Sequence, residues 1–234
     1  MTSKVAFITG GTKGIGLGIA EILLKNGLLV AITGRTEDGV QECIALLNEK
    51  YKGRVMGIKA DVRNMDEMSA AVHLINEKFG PIDVTIANAG IGHFAPIDEL
   101  TLEHWQETID TNLTGVFYTL KASLNNLKSS KGYFITIASL AGTNFFEQGA
   151  AYNASKFGLV GFTQAVMLDL RKFDIKCTTI MPGSVATYFN NHVPNETDGW
   201  KIQAEDLGEM VWDLLKMNPR TLPSKIEVRP SKPK

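Results

Sequence analysis

TGGTKGIG, residues 9–16, follows a short apolar run directly and opens a segment with helical periodicity. Glycine permits a tight turn and lets backbone N–H groups approach a phosphate, and the N-terminus of the helix that follows favours negative charge. A strand, a glycine-rich turn and a helix in this order predict the first unit of a nucleotide-binding α/β fold. Taken alone, the pattern also fits an ordinary tight turn.

Three classes of nucleotide site compete for this loop. A P-loop needs Gly-Lys followed by Ser or Thr, but here Lys13 precedes Gly14 and no hydroxyl residue follows. The run of alternate glycines at residues 14–18 is compatible with S-adenosylmethionine, although it comes late after the strand and the second strand lacks an acidic residue. The spacing T-G-x-x-x-G-x-G favours a dinucleotide bound by a single-domain enzyme.

Outward from this loop, short apolar runs alternate with longer segments of helical periodicity. The runs predict strands at residues 4–9, 28–33, 55–60, 82–87, 133–138, 177–181 and 225–228. Helices are predicted at residues 15–25, 37–51, 65–79, 102–128, 150–172 and 204–216. This alternation predicts one Rossmann-type domain over residues 1–234, with a doubly wound parallel sheet of about seven strands and helices on both faces.

Composition excludes several classes of protein. Apolar residues at 44% and charged residues at 21% are typical of a soluble globular domain, and the net charge of −1 gives no basis for a nucleic-acid or membrane partner. Cys43 and Cys177 are far apart and lack metal-ligand spacing. The first apolar run ends too soon for a signal peptide, and no run reaches the ~18 residues of a membrane helix. We expect a cytoplasmic protein.

Tyr152 and Lys156 stand four residues apart in a predicted helix, so their side chains lie on one face. A tyrosine with a pKa near ~10 is a poor base at neutral pH, and an adjacent cation favours its phenolate. Such a pair suits proton transfer to or from a carbonyl or alcohol oxygen. The spacing alone is weak evidence, because it occurs by chance in many helices.

Two further polar residues strengthen the interpretation of Tyr152 and Lys156 as a catalytic pair. Ser139 directly follows the fifth predicted strand, at the sheet edge where ligands bind, and its hydroxyl can donate to a substrate oxygen. Asn112 lies inside a predicted long helix, where asparagine is unfavourable, and this placement indicates a task other than helix formation.

Together the glycine loop, Asn112, Ser139 and the pair Tyr152/Lys156 resemble the short-chain dehydrogenase/reductase family, from Val5 to the last strand. The chain is similar to the single-domain branch that contains 3-oxoacyl-[acyl-carrier-protein] reductases and related carbonyl reductases. The resemblance implies that Tyr152 is the general acid or base, that Lys156 lowers its pKa and binds the nicotinamide ribose, that Ser139 polarises the carbonyl, and that Asn112 holds a water.

The resemblance also implies a set of residues for the cofactor. Residues 61–62 resemble the family's adenine contact, and residues 88–90 resemble its NNAG motif, with Ala87 in place of the first Asn. The implied cofactor-binding residues are Gly10, Thr12, Lys13, Gly14, Ile15, Gly16, Arg35, Thr36, Asp61, Val62, Asn88, Ala89, Gly90, Tyr152, Lys156, Pro182, Gly183, Val185 and Thr187.

The end of the second strand favours NADP(H) over NAD(H). Gly34 stands where the family's NAD users often carry Asp, and Arg35 follows it. With Lys13, Arg35 would flank the 2′-phosphate, and Thr36 would donate to it. The rival acids at residues 37–38 begin a helix, where acidic residues are common for dipole reasons.

The loop at residues 188–203 is the predicted substrate lid, with Tyr188, Phe189 and Trp200 as candidate lining residues. Residues 91–94 and 144–146 are expected to border the same pocket and indicate an apolar carbonyl or alcohol substrate. Family members assemble through the two long helices, which implies a homodimer or homotetramer.

Two other functions stay open. A cofactor-sensing protein would have the same fold, but its usual mark is loss of the Ser, Tyr or Lys, all of which are present. A methyltransferase would leave Tyr152 and Lys156 unexplained.

Overall fold

The computed structural model describes residues 3–232, in which strands and helices alternate along the chain. The strands are β1 Val5–Thr9, β2 Leu29–Gly34, β3 Val55–Lys59, β4 Val84–Ala87, β5 Tyr133–Ile137, β6 Lys176–Pro182 and β7 Lys225–Val228. The α-helices are α1 Gly14–Lys25, α2 Glu37–Tyr51, α3 Met65–Phe79, α4 Leu102–Ile109, α5 Gly115–Ser130, α6 Ala150–Leu170 and α7 Ala204–Lys216.

The strands form one sheet in the order β3-β2-β1-β4-β5-β6-β7, and every neighbouring pair is parallel. β1 and β4 are neighbours although β2 and β3 come between them in the chain. The loops after β1 and β4 therefore leave the sheet on opposite sides and open a crevice at its carboxyl edge. The predicted doubly wound parallel sheet is confirmed.

Both faces of the sheet are covered, as β1 shows. Ala6 and Ile8 pack with apolar residues of α1, α2 and α7, whereas Val5 and Phe7 pack with those of α3. Successive side chains of a strand point to opposite faces, so all five residues of β1 are buried. Burying a side chain of the size of Phe7 contributes roughly 1.5–3 kcal/mol, which explains the continuous apolar runs in the sequence.

α1 and α7 pack closely because glycines lie at their contact. A Cβ on Gly18 would lie 2.6 Å from the carbonyl carbon of Ala204, and a Cβ on Gly208 would lie 2.7 Å from Cγ1 of Ile22. No real Cβ tolerates such distances, so this contact requires glycine. α1 in turn carries the glycine loop at its N-terminus, and α7 therefore supports that loop from behind.

The segment predicted as one helix over residues 102–128 is not continuous. α4 ends at Ile109, a π-helical turn occupies Asp110–Thr114, and α5 begins at Gly115. The N–H of Gly115 donates to the carbonyl of Asp110, five residues back. Such a turn inserts one extra residue and rotates the side chains within it. Asn112 lies in the middle of the turn, where it bonds outside its own helix.

The other predicted boundaries agree with the structure to within two residues, and the bounds of α2, α3, α7 and β7 are the same. Within residues 3–232, no helix is both long enough and apolar enough to cross a membrane.

We predict opposite effects for two glycine-to-alanine changes. Gly18→Ala should lower the free energy of unfolding by about 1–3 kcal/mol, because its methyl group overlaps the backbone of α7. Gly161→Ala, on α6 with nothing of the same chain within 4 Å of the new Cβ, should raise the free energy of unfolding of the isolated chain by about 0.5–1 kcal/mol. Urea unfolding at fixed protein concentration measures both. A Gly18→Ala variant as stable as the parent would contradict the close α1–α7 contact.

Candidate active site

The glycine loop after β1 adopts a conformation that only glycine takes without strain. Gly10 and Gly14 have φ of +64° and +56°, in the left-handed region. A Cβ on Gly16 would lie 2.6 Å from Nδ2 of Asn88. That amide donates to the carbonyls of Thr9 at 2.9 Å and Gly10 at 3.0 Å, so the loop after β4 holds the loop after β1 in place.

The N-terminus of α1 is open to an anion. Its N-cap residue, Lys13, makes no side-chain capping bond, and the first turn of α1 contains no acidic residue. The first N–H groups of a helix are left without intrahelical partners and carry the positive end of its dipole. This end of α1 can therefore receive a phosphate or pyrophosphate.

A cleft of about 730 Å³ runs along the carboxyl edge of the sheet from this loop. Most of the residues singled out from the sequence line it: Gly10, Thr12, Lys13, Gly14, Ile15, Arg35, Val62, Asn88, Ala89, Gly90, Ser139, Tyr152, Lys156, Pro182, Gly183, Val185 and Thr187. Four do not lie on its wall: Gly16, Thr36, Asp61 and Asn112. Gly16 and Asn112 are buried beneath the wall, and the carboxylate of Asp61 is paired with Arg63.

Two buried hydroxyls on the cleft wall fit a bound ligand. Oγ1 of Thr33 and Oγ1 of Thr111 have no hydrogen-bond partner within residues 3–232. Buried polar atoms are normally paired, and one without a partner in the chain can be satisfied by a ligand or a water. With the glycine loop and the open end of α1, these hydroxyls suit an extended molecule with phosphate and polar groups, such as a dinucleotide.

α6 brings Tyr152 and Lys156 to the middle of the cleft, beside Ser139 at the end of β5. The Nζ of Lys156 donates to the carbonyl of Ile137 at 3.2 Å and lies 5.6 Å from the centre of the Tyr152 ring. Only 4% of Lys156 is exposed. Three candidate reacting groups from two elements therefore meet at one place on the wall.

The pKa shifts at this place follow from burial. Burial lowers the pKa of the Lys156 ammonium to about 8 and raises the pKa of the Tyr152 phenol, while the Ser139 hydroxyl acts on the phenol in the opposite direction. The sequence predicts that Lys156 lowers the pKa of Tyr152. Burial of the phenol is the largest cause of the shift, and Lys156 is not among its causes, so the lowering by Lys156 stays a prediction.

The side chain of Asn112 bonds to two segments of the chain that border the cleft, the loop after β4 and α6. Its Oδ1 accepts from the N–H of Ile91 at 2.9 Å, and its Nδ2 donates to the carbonyl of Ile91 at 2.8 Å and to Oγ of Ser155 at 3.0 Å. Oγ of Ser155 in turn donates to the carbonyl of Tyr152. Both N–H bonds of the amide are therefore used within the protein. The side chain positions α6 and the loop after β4, and the predicted water would have to donate to Oδ1, which keeps a second lone pair.

Aromatic rings cover the open side of Tyr152. The ring centre of Phe94 lies 5.4 Å and that of Phe189 lies 5.6 Å from that of Tyr152. Tyr188 lines the cleft. The expectation that residues 144–146 border the same pocket is wrong: Phe146 packs against Phe94 at 5.7 Å, but it lines a neighbouring pocket beside Pro96. Trp200, a candidate lining residue from the sequence, is not on the cleft wall, and Nζ of Lys201 lies 5.9 Å from the centre of its ring.

A buried carboxylate fixes the loop that carries Phe189. Asp198 is 4% exposed and its carboxylate lies 2.7 Å from Nζ of Lys201 and 2.6 Å from Nε2 of His192. These two bonds, with the Lys201 bond foremost, lower the pKa of Asp198. A parallel bridge between Val185 and Ile202 closes the base of the same loop. His192 and Lys201 also line the cleft, and nothing in the sequence pattern singled them out.

Glu107 on α4 is the main cleft residue that the sequence did not reveal. Its carboxylate lies 2.9 Å from Nε2 of His93, 3.2 Å from Nη1 of Arg63 and 3.6 Å from Nη1 of Arg35. The hydrogen bond from His93 is the largest cause that lowers the pKa of Glu107. No motif marks this position, because its contacts come from three separate loops.

Comparison with known proteins points the same way. The chain matches the short chain dehydrogenase family model over residues 4–198. It is 38% identical over 208 residues to a Streptomyces coelicolor protein named "Putative ketoacyl reductase", covering 87% of this chain and 79% of that protein.

Two solved structures show the same fold. An alcohol dehydrogenase from the archaeon Thermococcus sibiricus, complexed with 5-hydroxy-NADP, superimposes with a TM-score of 0.92 at 28% identity and covers 99% of both chains. A 3-ketoacyl-(acyl-carrier-protein) reductase from Brucella melitensis, complexed with NADH, has a TM-score of 0.88 at 23% identity and covers 98% of both chains. The second likeness is one of fold alone.

Lys156→Met should stabilise the protein while removing its activity. Burial lowers the pKa of this lysine to about 8, so below that pH the folded protein carries a buried charge that the unfolded chain solvates. Removing the charge should raise the free energy of unfolding at pH 7 by about 1–2 kcal/mol, after the lost hydrogen bond to Ile137 is counted.

The gain should shrink as the pH rises from about 8 through the ordinary lysine pKa of ~10.4, above which both the folded and the unfolded parent have lost the proton. Chemical unfolding across this pH range measures it. Lys50→Met, at an exposed position of α2, serves as the control and should change stability little. A Lys156→Met variant less stable than the parent at pH 7 would show that the buried ammonium is not a net cost.

Proposed function

The chain belongs to the short-chain dehydrogenase family and is a pyridine-nucleotide oxidoreductase, and we propose that it interconverts an apolar carbonyl compound and its secondary alcohol with NADP(H). The observation that carries the proposal is the meeting of Tyr152, Lys156 and Ser139 on one wall of the cleft, beside the glycine loop. When bound, the nicotinamide supplies or accepts the hydride.

Tyr152 is the proton donor in reduction and the acceptor in oxidation under this proposal. Burial raises the pKa of its phenol, so the proton is held at neutral pH and is available to a carbonyl oxygen as that oxygen gains charge. Ser139 lies beside the phenol and donates to the same oxygen, which orients the carbonyl. Lys156 holds the ribose next to the nicotinamide and supplies positive charge near the phenol.

In this proposal Asn112 is a positioning residue that acts on Tyr152. Its bonds to Ile91 and Ser155 fix the start of α6 relative to the loop after β4, and so fix the direction of the Tyr152 side chain. A misplacement of about 1 Å at such a site can cost two orders of magnitude in rate.

The preference for NADP(H) rests on Arg35. Its guanidinium is 54% exposed, lies on the cleft wall and makes no hydrogen bond within the described residues, so it is available to a phosphate. Glu37, a rival that could bind the ribose hydroxyl of NAD(H), accepts a bond from Gln41 in its own helix. The Thermococcus alcohol dehydrogenase, which was solved with an NADP derivative, is a consistent parallel.

The substrate is an apolar carbonyl compound, because the rings of Phe94 and Phe189 pack against the ring of Tyr152. Aromatic walls with a few polar groups are typical of sites for small apolar ligands. Acyl thioesters, steroids and small ketones all present apolar surface that could pack against these rings.

Assembly through α5 and α6 belongs to the same proposal. Phe117, Phe157 and Leu168 on these helices are each more than two-fifths exposed, which is costly for a monomer in water and suits a homodimer or homotetramer. A cytoplasmic location is part of the proposal as well.

A panel of aldehydes, ketones and 3-oxoacyl thioesters, offered with NADPH, tests this function. Loss of reduced-cofactor absorbance is expected with at least one apolar member. Tyr152→Phe keeps the ring but has no proton to give, so turnover should fall by about a hundredfold or more while calorimetry finds unchanged NADPH binding.

Retained turnover in Tyr152→Phe would remove Tyr152 from its role. Tight NADPH binding by the parent protein with no turnover across a broad panel would instead favour a cofactor sensor.

A further inference from the structure

Glu107 lies at the end of the cleft formed by the loops after β2 and β3, where two arginines approach one carboxylate. Oε1 is 3.2 Å from Nη1 of Arg63 and 3.6 Å from Nη1 of Arg35, and Oε2 is 2.9 Å from Nε2 of His93. One-third of the Glu107 side chain is exposed, and Glu107 lines the cleft together with Arg35 and His93.

The two arginines are held very differently. Arg63 is committed to Asp61, with Nη2 at 2.6 Å and Nε at 3.0 Å from its carboxylate oxygens, so its charge is already balanced. Arg35 has only the 3.6 Å approach to Glu107, which is too long for a hydrogen bond, and no other ionic partner within residues 3–232. The pairing between Arg35 and Glu107 is therefore loose and does not fix the guanidinium in one orientation.

A phosphate on the cofactor would have to compete with Glu107 for Arg35. The 2′-phosphate carries up to two negative charges, and a carboxylate that already attracts the guanidinium also repels that phosphate. A dinucleotide that lacks this phosphate neither competes for Arg35 nor is repelled by the carboxylate of Glu107.

We infer that Glu107 is a specificity-determining residue whose carboxylate competes with the 2′-phosphate of the cofactor for Arg35. It thereby limits the preference for NADP(H) over NAD(H). This inference rests on the proposed function, because it assumes that Arg35 receives the 2′-phosphate. It assigns a role to a residue on α4, outside the strand ends where the cofactor residues were expected.

The direct test compares binding of adenosine 2′,5′-bisphosphate with that of adenosine 5′-monophosphate by titration calorimetry at low ionic strength. These nucleotides report on the phosphate site without any turnover. In Glu107→Gln, affinity for the bisphosphate should rise by about three- to tenfold, as expected for removal of one charge a few ångströms from a phosphate dianion. Affinity for the monophosphate should change by less than about twofold.

Two comparisons isolate the cause. Glu103→Gln removes the same charge one turn earlier in α4, where Glu103 makes no ion pair with either arginine within the described residues, and should leave both affinities unchanged. In an Arg35→Gln background, Glu107→Gln should improve binding of the bisphosphate less than it does in the parent, because only the direct repulsion of the phosphate remains once the shared partner is gone.

Several results would overturn the inference. Weaker bisphosphate binding by Glu107→Gln would mean that Glu107 orients Arg35 for the phosphate instead of competing with it. An unchanged affinity in Glu107→Gln, or a gain that is equally large without Arg35, would show that Glu107 does not compete for Arg35. If the parent protein binds the monophosphate but gains nothing from the second phosphate, the inference fails and the dinucleotide site stands. If it binds neither nucleotide, the proposed function fails as well.

Discussion

The amide of Asn112 is the interaction on which the geometry of the cleft depends. It bonds both backbone groups of Ile91 after β4 and the hydroxyl of Ser155 on α6, from inside the π-helical turn that joins α4 to α5. A buried amide with its N–H bonds satisfied is rigid, because leaving any one of them unpaired costs about 1–3 kcal/mol. Tyr152 and Lys156 stand on the part of α6 that this amide holds, so their position follows from it.

The two ends of the cleft are governed by different physics. At the Tyr152 end, burial sets the protonation: it raises the pKa of the phenol and lowers the pKa of Lys156 to about 8. At the Arg35 end the side chains are half exposed, and opposite charges from three loops meet around Glu107. Charge pairs there are screened by salt, whereas the charge on the buried Lys156 is screened much less. A proton donor needs the first environment, and an exchangeable phosphate site suits the second.

Most of the fold could be predicted from the sequence. Strands buried on both faces are continuous apolar runs, and each run is followed by turn-forming residues and a segment with helical periodicity. The π-helical turn at Asp110–Thr114 could not, since its local sequence is compatible with a helix and the turn is set by bonds from Asn112 to distant segments. In the site, the glycine loop and Tyr152/Lys156 carry spacing that reflects their chemistry. Glu107, His192 and Lys201 reach the cleft only through tertiary contacts, and the pKa of Tyr152 depends on burial that spacing does not encode.

The central claim, direct hydride transfer with Tyr152 as the proton partner, is tested most directly by following an isotope. NADPH that carries deuterium on one face of the nicotinamide C4 is incubated with the protein and a carbonyl compound that it reduces, and the alcohol is examined by mass spectrometry. The account predicts one deuterium on the carbinol carbon from one of the two faces only, and formation of labelled alcohol that is slower by about a hundredfold or more with Tyr152→Phe. Alcohol without deuterium from either labelled face, or labelled alcohol formed equally well by Tyr152→Phe, would contradict it.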